Sequence, residues 1–188
     1  MRRITKAAIG GLAGCALVLG GTQGASAALE AKYWFRDALT DLLPTASGPF
    51  DSATARITIA DKTNDRTTFR IRVRGIEPPS APDVVPGGGY GAHLHVNSCD
   101  NPAGAGGHYQ NDPTAGVNRE NEVWFDLLPD ADGVATDQTT VSFMPVDGDS
   151  AMSVVIHVGN AETGGTRQAC LPLDVKGIFP TSSPAPTE

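Results

Sequence analysis

Two stretches of this chain alternate polar and apolar residues without interruption, which restricts them to β-strands buried on one face. Residues 56–59 and 68–74 show this pattern, and a side-chain period of two fits a strand and not a helix. Further strand-like runs lie at residues 91–96, 122–128, 139–144 and 153–158. Regularly spaced short strands predict an all-β sandwich or barrel.

Turn signals separate several of these strands. Asn64-Asp65 suits a hairpin between the first two, and Asp132-Gly133 and Asp147-Gly148 mark turns further along. A Pro/Gly-rich loop is predicted over residues 78–89, and a longer Gly/Asn/Asp-rich loop over residues 98–119. Loops of this length are often functional.

The strand-rich region lies between two ends of different composition. Residues 1–27 have the layout of a signal peptide, and residues 28–50 form an N-terminal segment with a predicted edge strand. Within that segment, residues 32–43 also fit a short helix. The β-domain is expected over residues 51–179, and the Pro/Ser/Thr-rich residues 180–188 form a tail predicted to be disordered.

The leader predicts secretion. Arg2, Arg3 and Lys6 form a basic start, residues 7–19 are apolar, and the small residues 25–27 suit cleavage after Ala27. An N-terminal membrane anchor, a twin-arginine signal and a lipoprotein attached at Cys15 are the alternatives. The apolar run is short for a membrane span, and it continues past Cys15, where a lipoprotein box normally ends it.

The charge argues against several classes of partner. The whole chain carries −7, and loss of the leader removes three of the 14 Lys and Arg, which leaves a mature charge of about −10. Binding to nucleic acid or to anionic membranes depends on surface Lys and Arg. We therefore expect neither a nucleic-acid partner nor an anionic-membrane partner, and an anionic substrate would need a local positive group. No membrane span is expected either, because no later run is apolar enough to cross a bilayer.

Two cysteines remain after the leader is removed, Cys99 and Cys170. In an exported chain two cysteines usually form a disulfide. Two free thiols are the alternative. A thiolate metal site is disfavoured because neither cysteine has a second one nearby in the sequence.

The four histidines suggest a metal site. His93 and His95 alternate on a predicted strand, so both imidazoles lie on the same side. His108 lies in the long loop, and His157 ends an apolar strand. Paired surface histidines and a structural histidine explain these positions equally well one by one. All-nitrogen ligation suits copper or zinc better than magnesium or calcium.

Five segments resemble, in the same order, motifs of the copper/zinc superoxide dismutases. Residues 86–95 read PGGGYGAHLH, similar to the family's PG-x-HGFH-x-H, and residues 105–109 read AGGHY, similar to AGPHF. The others are DADGVA at residues 130–135, VVIH at 154–157 and GTRQAC at 165–170. The matches run from about Thr68 to Val175, most of the mature chain. With Cys99 at the position of the family's first disulfide cysteine, they assign every histidine, both mature cysteines and one arginine to family positions.

The resemblance implies an eight-stranded Greek-key β-barrel that converts superoxide to O₂ and H₂O₂ with copper. It implies that Arg167 guides superoxide and that Cys99 and Cys170 form a disulfide beside it. The implied copper ligands are His93, His95, His108 and His157.

The chain departs from the two-metal pattern in a consistent way. No histidine lies between His108 and His157, so the family's zinc ligands are missing apart from His108, and we expect no zinc. The loop between His157 and Arg167 is nine residues long, too short for the family's charged funnel. Both departures resemble the copper-only branch, of the exported bacterial type.

Without zinc, the second nitrogen of His108 needs another partner. A carboxylate is the expected one, and the candidates are Glu120, Glu122 and Asp126. Two other functions stay open at this point. One is a copper-binding module that buffers or delivers the metal without turnover, and the other is a non-catalytic extracellular β-sandwich.

Overall fold

The computed structural model describes residues 31–176 except 43–47, 63–65, 78–88, 103, 146–151 and 163–164. Within these residues the chain forms nine β-strands and no helix. They are β1 Ala31–Ala38, β2 Thr40–Asp41, β3 Thr54–Lys62, β4 Arg66–Arg74, β5 Tyr90–His95, β6 Trp124–Leu127, β7 Val134–Val141, β8 Met152–Val158 and β9 Arg167–Leu173. The predicted signal peptide, the lipoprotein alternative at Cys15 and the predicted tail lie outside the described residues. In the part described, no helix long and apolar enough to cross a membrane is found.

The strands form two antiparallel sheets, which confirms the all-β class. One sheet has the order β1-β3-β4-β7 and the other the order β2-β9-β8-β5-β6. The chain crosses between the sheets more than once, so that β7 returns beside β4 and β8 returns beside β5. These crossings are Greek-key in type. The strand beyond the expected eight is the two-residue β2.

The strands of the first sheet bury one face each, as their alternation predicts. Most of their inward residues are aliphatic or aromatic, and Ile57, Phe69 and Ile71 are fully buried. The second sheet contributes residues such as Leu94 and Ile156 from its own inner face. The main core therefore lies between the two sheets, and the outer face of the second sheet is not part of it.

Some strand boundaries differ from the sequence prediction. Residues 139–144 were expected to be a strand, but β7 begins at Val134, directly after a turn in which the Gly133 N–H donates to Asp130 O. Its inward Asp137 and Thr139 hid the alternation, because neither is apolar. β9 has no counterpart among the strands predicted from alternation. Residues 32–43, for which strand and helix were both open, contain β1 at the edge of the first sheet.

Loops cover the outer face of the second sheet, and a disulfide ties one of them to β9. Cys99 lies in the loop between β5 and β6, and it is bonded to Cys170 across a sequence separation of 71 residues. The disulfide packs with the buried side chains of Ala105, Val155 and, partly, Leu42. This small apolar cluster on the outer face holds the loop close to β8 and β9.

Removal of the disulfide should destabilise the fold substantially. For a loop of 71 residues, loss of the cross-link is expected to lower the free energy of unfolding by about 4 kcal/mol through chain entropy. Urea denaturation of the oxidised parent and of a Cys99→Ala/Cys170→Ala variant measures this difference. Thiol titration of the denatured, unreduced parent is the control, and two free thiols there would contradict the disulfide.

Candidate metal centre

The second sheet presents three histidines on its outer face. His93 and His95 alternate along β5 with the buried Ala92 and Leu94, so their side chains point away from the core. His157 lies on the neighbouring strand β8, opposite Gly91. Loops cover all three, and each imidazole is buried.

The long loop delivers His108 to the same place. Residues 107–109 run antiparallel to β5, with the Tyr109 N–H donating to Leu94 O at 2.8 Å. This pairing sets His108 against His95 in an isolated bridge. The His108 ring stacks on the His93 ring with 4.0 Å between centroids. The four sequence-predicted ligands therefore converge, with one ligand atom of each within 4.8 Å of the others.

Backbone carbonyls determine which nitrogen of three imidazoles is free. His93 Nε2 lies 2.6 Å from Ala161 O, His95 Nδ1 lies 3.0 Å from Gly106 O, and His157 Nδ1 lies 2.9 Å from Gly165 O. A carbonyl oxygen only accepts hydrogen bonds, so each of these nitrogens must carry the hydrogen. The other nitrogen of each neutral ring then has a lone pair available for a metal.

A carboxylate determines which nitrogen of His108 carries the hydrogen. Its Nδ1 donates to Glu122 Oε2 at 2.8 Å, and Glu122 is 1% exposed. The same carboxylate accepts from Trp124 Nε1 at 2.7 Å and from Gln110 Nε2 at 3.0 Å. Three donors compensate for the burial of this acid. They also fix the His108 ring with Nε2 towards the other histidines.

The imidazole nitrogens that carry no hydrogen are placed to bind a metal ion, and they cannot hydrogen-bond one another. Among the described residues, His93 Nδ1 is the buried side-chain nitrogen or oxygen that has no hydrogen-bond partner. His95 Nε2 and His157 Nε2 face each other at 3.3 Å, although the opposite nitrogen of each ring already carries its hydrogen. Two facing lone pairs need a proton or a cation between them. The four histidines are thus placed to bind a metal ion, and the nitrogen donor set is typical of copper or zinc.

Burial keeps three of the four histidines neutral. Loss of hydration lowers the pKa of His93 and of His95 to about 3. Burial also lowers the pKa of His157. A metal competes with protons for these nitrogens, so lowered pKa values leave them free for a metal at neutral pH.

The three carboxylates proposed as partners of His108 have three different surroundings. Glu122 contacts His108 directly, as described. Asp126 acts on His93 instead: its Oδ1 accepts the Ala161 N–H at 3.0 Å, and Ala161 O is the acceptor behind His93. Asp126 also accepts from Arg119 Nη2 at 2.7 Å. Glu120 is exposed on the loop between β5 and β6, and it contacts neither His93 nor His108.

Arg167 lies beside the histidines. It is the first residue of β9, half-buried and paired with His157. Its guanidinium donates to Gly104 O, and to Gly106 O at 2.5 Å. Gly106 O also accepts from His95, so Arg167 and His95 share one acceptor.

Unusual backbone conformations aim these carbonyls. Gly104, Ala105 and Gly106 have successive φ values of 64°, 70° and 74°, a region that side chains other than hydrogen disfavour. A Cβ on Gly91 would lie 2.6 Å from the backbone of Asn160 and Ala161. This close approach allows the chain after β8 to cross β5 and bring Ala161 O to His93.

Sequence reasoning missed most of the groups that orient the histidines. Ala161, Gly106 and Gly165 act through backbone carbonyls, which leave no trace in residue type. Trp124 and Gln110 act through Glu122, and neither residue type by itself indicates a hydrogen bond to a buried acid. The glycine-rich run at residues 104–107 was the available signal for a backbone that approaches the site closely.

Comparisons with known proteins leave the site to be interpreted from its own residues. No protein-family model and no curated protein matches the sequence. One solved structure, described as a crystal structure analysis of the clock protein EA4, is similar with a TM-score of 0.45 and 16% identity over 64% of this chain and 85% of that chain. A likeness at this level carries no argument about function.

Metal affinity should depend on Glu122 and not on Glu120. In Glu122→Gln an NH₂ group replaces one carboxylate oxygen. One of the three donors His108, Trp124 and Gln110 then faces another donor instead of an acceptor. Loss of such a contact behind a ligand typically weakens metal binding about 10–100-fold. Competition with a chelator measures the Kd for Cu²⁺. Glu120→Gln, with the same chemical change on an exposed side chain, is the control, and equal affinities of the two variants would contradict the assignment.

The stability of the metal-free protein should fall as pH decreases from about 7. Below pH 6.5 the unfolded chain takes up protons on His93 and His95, whereas the folded chain does not until its pKa of about 3. Each of these two histidines lowers the free energy of unfolding by at most about 1.4 kcal/mol for each unit by which the pH falls. Urea denaturation between pH 7 and pH 4 gives the slope. A His93→Asn variant should show a shallower slope, and an unchanged one would argue against a neutral buried His93.

Proposed function

We propose that this chain is a copper-only superoxide dismutase that acts outside the cytoplasm. The observation that carries the proposal is the convergence of four lone-pair nitrogens, within 4.8 Å of one another, next to the Arg167 guanidinium. His93, His95, His108 and His157 would hold one copper. The match to the motifs of the copper/zinc superoxide dismutases supports this ligand set.

The chemistry of the donors favours copper for this reaction. Copper changes between two oxidation states, as superoxide dismutation requires, and zinc does not. Neutral imidazoles suit both states because no proton has to leave a ligand. The hydrogen bonds to Ala161, Gly106, Gly165 and Glu122 hold the four rings in one orientation throughout.

The surroundings of His108 support a site without zinc. Its Nδ1, the nitrogen that faces away from the other histidines, donates to Glu122. A second metal on that nitrogen would have to displace a hydrogen that a buried carboxylate holds. No zinc is therefore expected beside copper.

Arg167 is proposed to attract and orient superoxide. The mature chain has a net charge of about −10, so an anion needs a local positive group in order to approach. Burial is the main cause of the low pKa values of His157 and His95, and the Arg167 guanidinium lies close enough for its charge to lower both further. His108 is the ligand with the most exposed side chain, at 25%, which places the solvent-facing side of the cluster at that ring.

The proposed compartment rests on two features. The leader has the layout of a signal peptide, and the Cys99–Cys170 disulfide suits an oxidising environment. Superoxide and H₂O₂ would then be the substrate and product outside the cytoplasm.

Metal analysis with a superoxide assay tests the proposal. The purified protein, loaded with copper and dialysed, should hold one copper and no zinc per chain, and it should consume superoxide. The zinc-loaded protein should not. Stoichiometric zinc retained beside copper would contradict the copper-only site. A copper-loaded protein without activity would favour the copper buffer or carrier instead.

Arg167→Ala and Arg167→Glu should both slow superoxide consumption, with Glu slower, when the variants are fully loaded with copper. Arg167→Lys should retain part of the rate because it keeps the charge. Since Arg167 also holds two carbonyls, some loss of stability is expected, about 1.5–3 kcal/mol for a charged hydrogen-bond donor. The dependence of the rate on ionic strength separates the attraction of superoxide by Arg167 from its structural role, because electrostatic attraction weakens with salt. If Arg167→Glu keeps full activity with the same salt dependence, Arg167 does not guide the substrate.

A further inference from the structure

The outer face of the first sheet concentrates positive charge. Of the eleven Lys and Arg that follow the leader, eight lie in β1, β3 and β4. At seven outward positions the side chains are exposed: Lys32, Arg36, Arg56, Arg66, Arg70, Arg72 and Arg74. Among the described outward positions of these strands and of β7, there is no Asp or Glu. We call these seven residues the basic face.

The centre of the basic face brings like charges together. Arg36 is directly opposite Arg56 on β3, and Arg56 is directly opposite Arg72 on β4. The ion pairs found in the described residues are elsewhere, at His108 and Arg119. Like charges directly opposite one another destabilise a sheet. An anion bound across the three guanidinium groups would remove this repulsion.

A groove and an exposed aromatic ring complete the surface. Arg36, Arg56, Arg72 and Arg74 line a groove of about 250 Å³ with Thr54 and Ala55. Trp34, two residues before Arg36 and on the same face, is 62% exposed. The Arg56 guanidinium lies 5.4 Å from the centre of its ring. Large exposed aromatic side chains beside arginines are typical of binding surfaces.

The geometry points to an anionic glycan as the ligand of the basic face. Guanidinium groups bind sulfate, phosphate or carboxylate groups in a fork-like geometry. Neighbouring strands space the arginines by about 4.8 Å, and alternate residues of one strand by about 6.8 Å, a grid that suits a polymer with repeated charges. A flat indole face beside them gives a sugar ring an apolar surface on which to lie.

The expected compartment favours a glycan over a nucleic acid. The disulfide suits an oxidising environment, where anionic polymers are more often glycans. The rest of the mature chain is strongly acidic, so a polyanion would be repelled elsewhere and confined to this face. The basic face belongs to the sheet that carries none of the four histidines, and binding here is independent of the proposed enzyme activity.

Dextran sulfate and uncharged dextran of equal length test the inference on the full protein. Dextran sulfate should bind at 0.15 M salt, and dextran should not. Arg56→Gln should weaken binding about fivefold, the effect of one cation near an anionic surface, and the triple variant Arg36→Gln/Arg56→Gln/Arg72→Gln on the order of a hundredfold. Lys176→Gln, an exposed single-charge change outside the face, is the matched control and should leave binding unchanged. Trp34→Ala should weaken binding at unchanged charge.

Several outcomes would overturn the inference. These are no binding of dextran sulfate at 0.15 M salt, equal losses in Arg56→Gln and Lys176→Gln, or tighter binding of single-stranded DNA or of phosphatidylglycerol vesicles than of dextran sulfate. A dimer that dissociates in the triple variant would indicate instead that the face binds a second copy of this chain. Thermal denaturation excludes misfolding as a cause, and we expect the triple variant to be at least as stable as the parent because repulsion is relieved.

Discussion

The site depends on one repeated interaction: each imidazole has a fixed hydrogen-bond acceptor behind it. Three acceptors are the carbonyls of Ala161, Gly106 and Gly165, and the fourth is the carboxylate of Glu122. Each acceptor selects one tautomer and one ring orientation. Without them the histidines would turn their hydrogens towards one another, or to solvent, and no set of converging lone pairs would exist. The loops that cover the outer face of the second sheet are arranged so that these acceptors are in place.

The surrounding architecture serves the same end. The carbonyls of Gly104 and Gly106 can turn inwards because residues 104–106 adopt positive φ values, and Arg167 holds both carbonyls from the other side. The disulfide anchors this loop to β9 at Cys170, three residues after Arg167, the first residue of that strand. On the opposite side of the cluster, the missing side chain of Gly91 admits the backbone that carries Ala161 O. A substitution at any of these positions would affect the histidines by displacing a carbonyl that orients them.

The fold class was predictable from the alternation of side chains, and the set of four histidines was predictable from the resemblance of the motifs around them to those of the copper/zinc superoxide dismutases. Alternation in residues 68–74 reflects burial of one face, and the HxH pattern places His93 and His95 on one side of a strand. The orienting carbonyls were not predictable, because any residue type supplies one. Net charge was misleading in a different way. The same RTTFRIRVR stretch that revealed β4 by its apolar residues also places four arginines on one face, and an overall charge of −7 conceals them.

The balance of charge at the site is compatible with the proposed attraction of an anion by an acidic protein. A divalent cation on four neutral imidazoles would keep most of its charge, and the carboxylate of Glu122 is separated from the cluster by the His108 ring. Arg167 adds a positive charge, and its guanidinium donates to the neutral carbonyls of Gly104 and Gly106. A bound metal and Arg167 would concentrate positive potential at the cluster, whereas the acidic residues dominate at long range. At physiological salt, screening limits both to about 8 Å. An anion that reached the exposed edge of His108 would then be affected by Arg167 and a bound metal more than by the net charge of the chain.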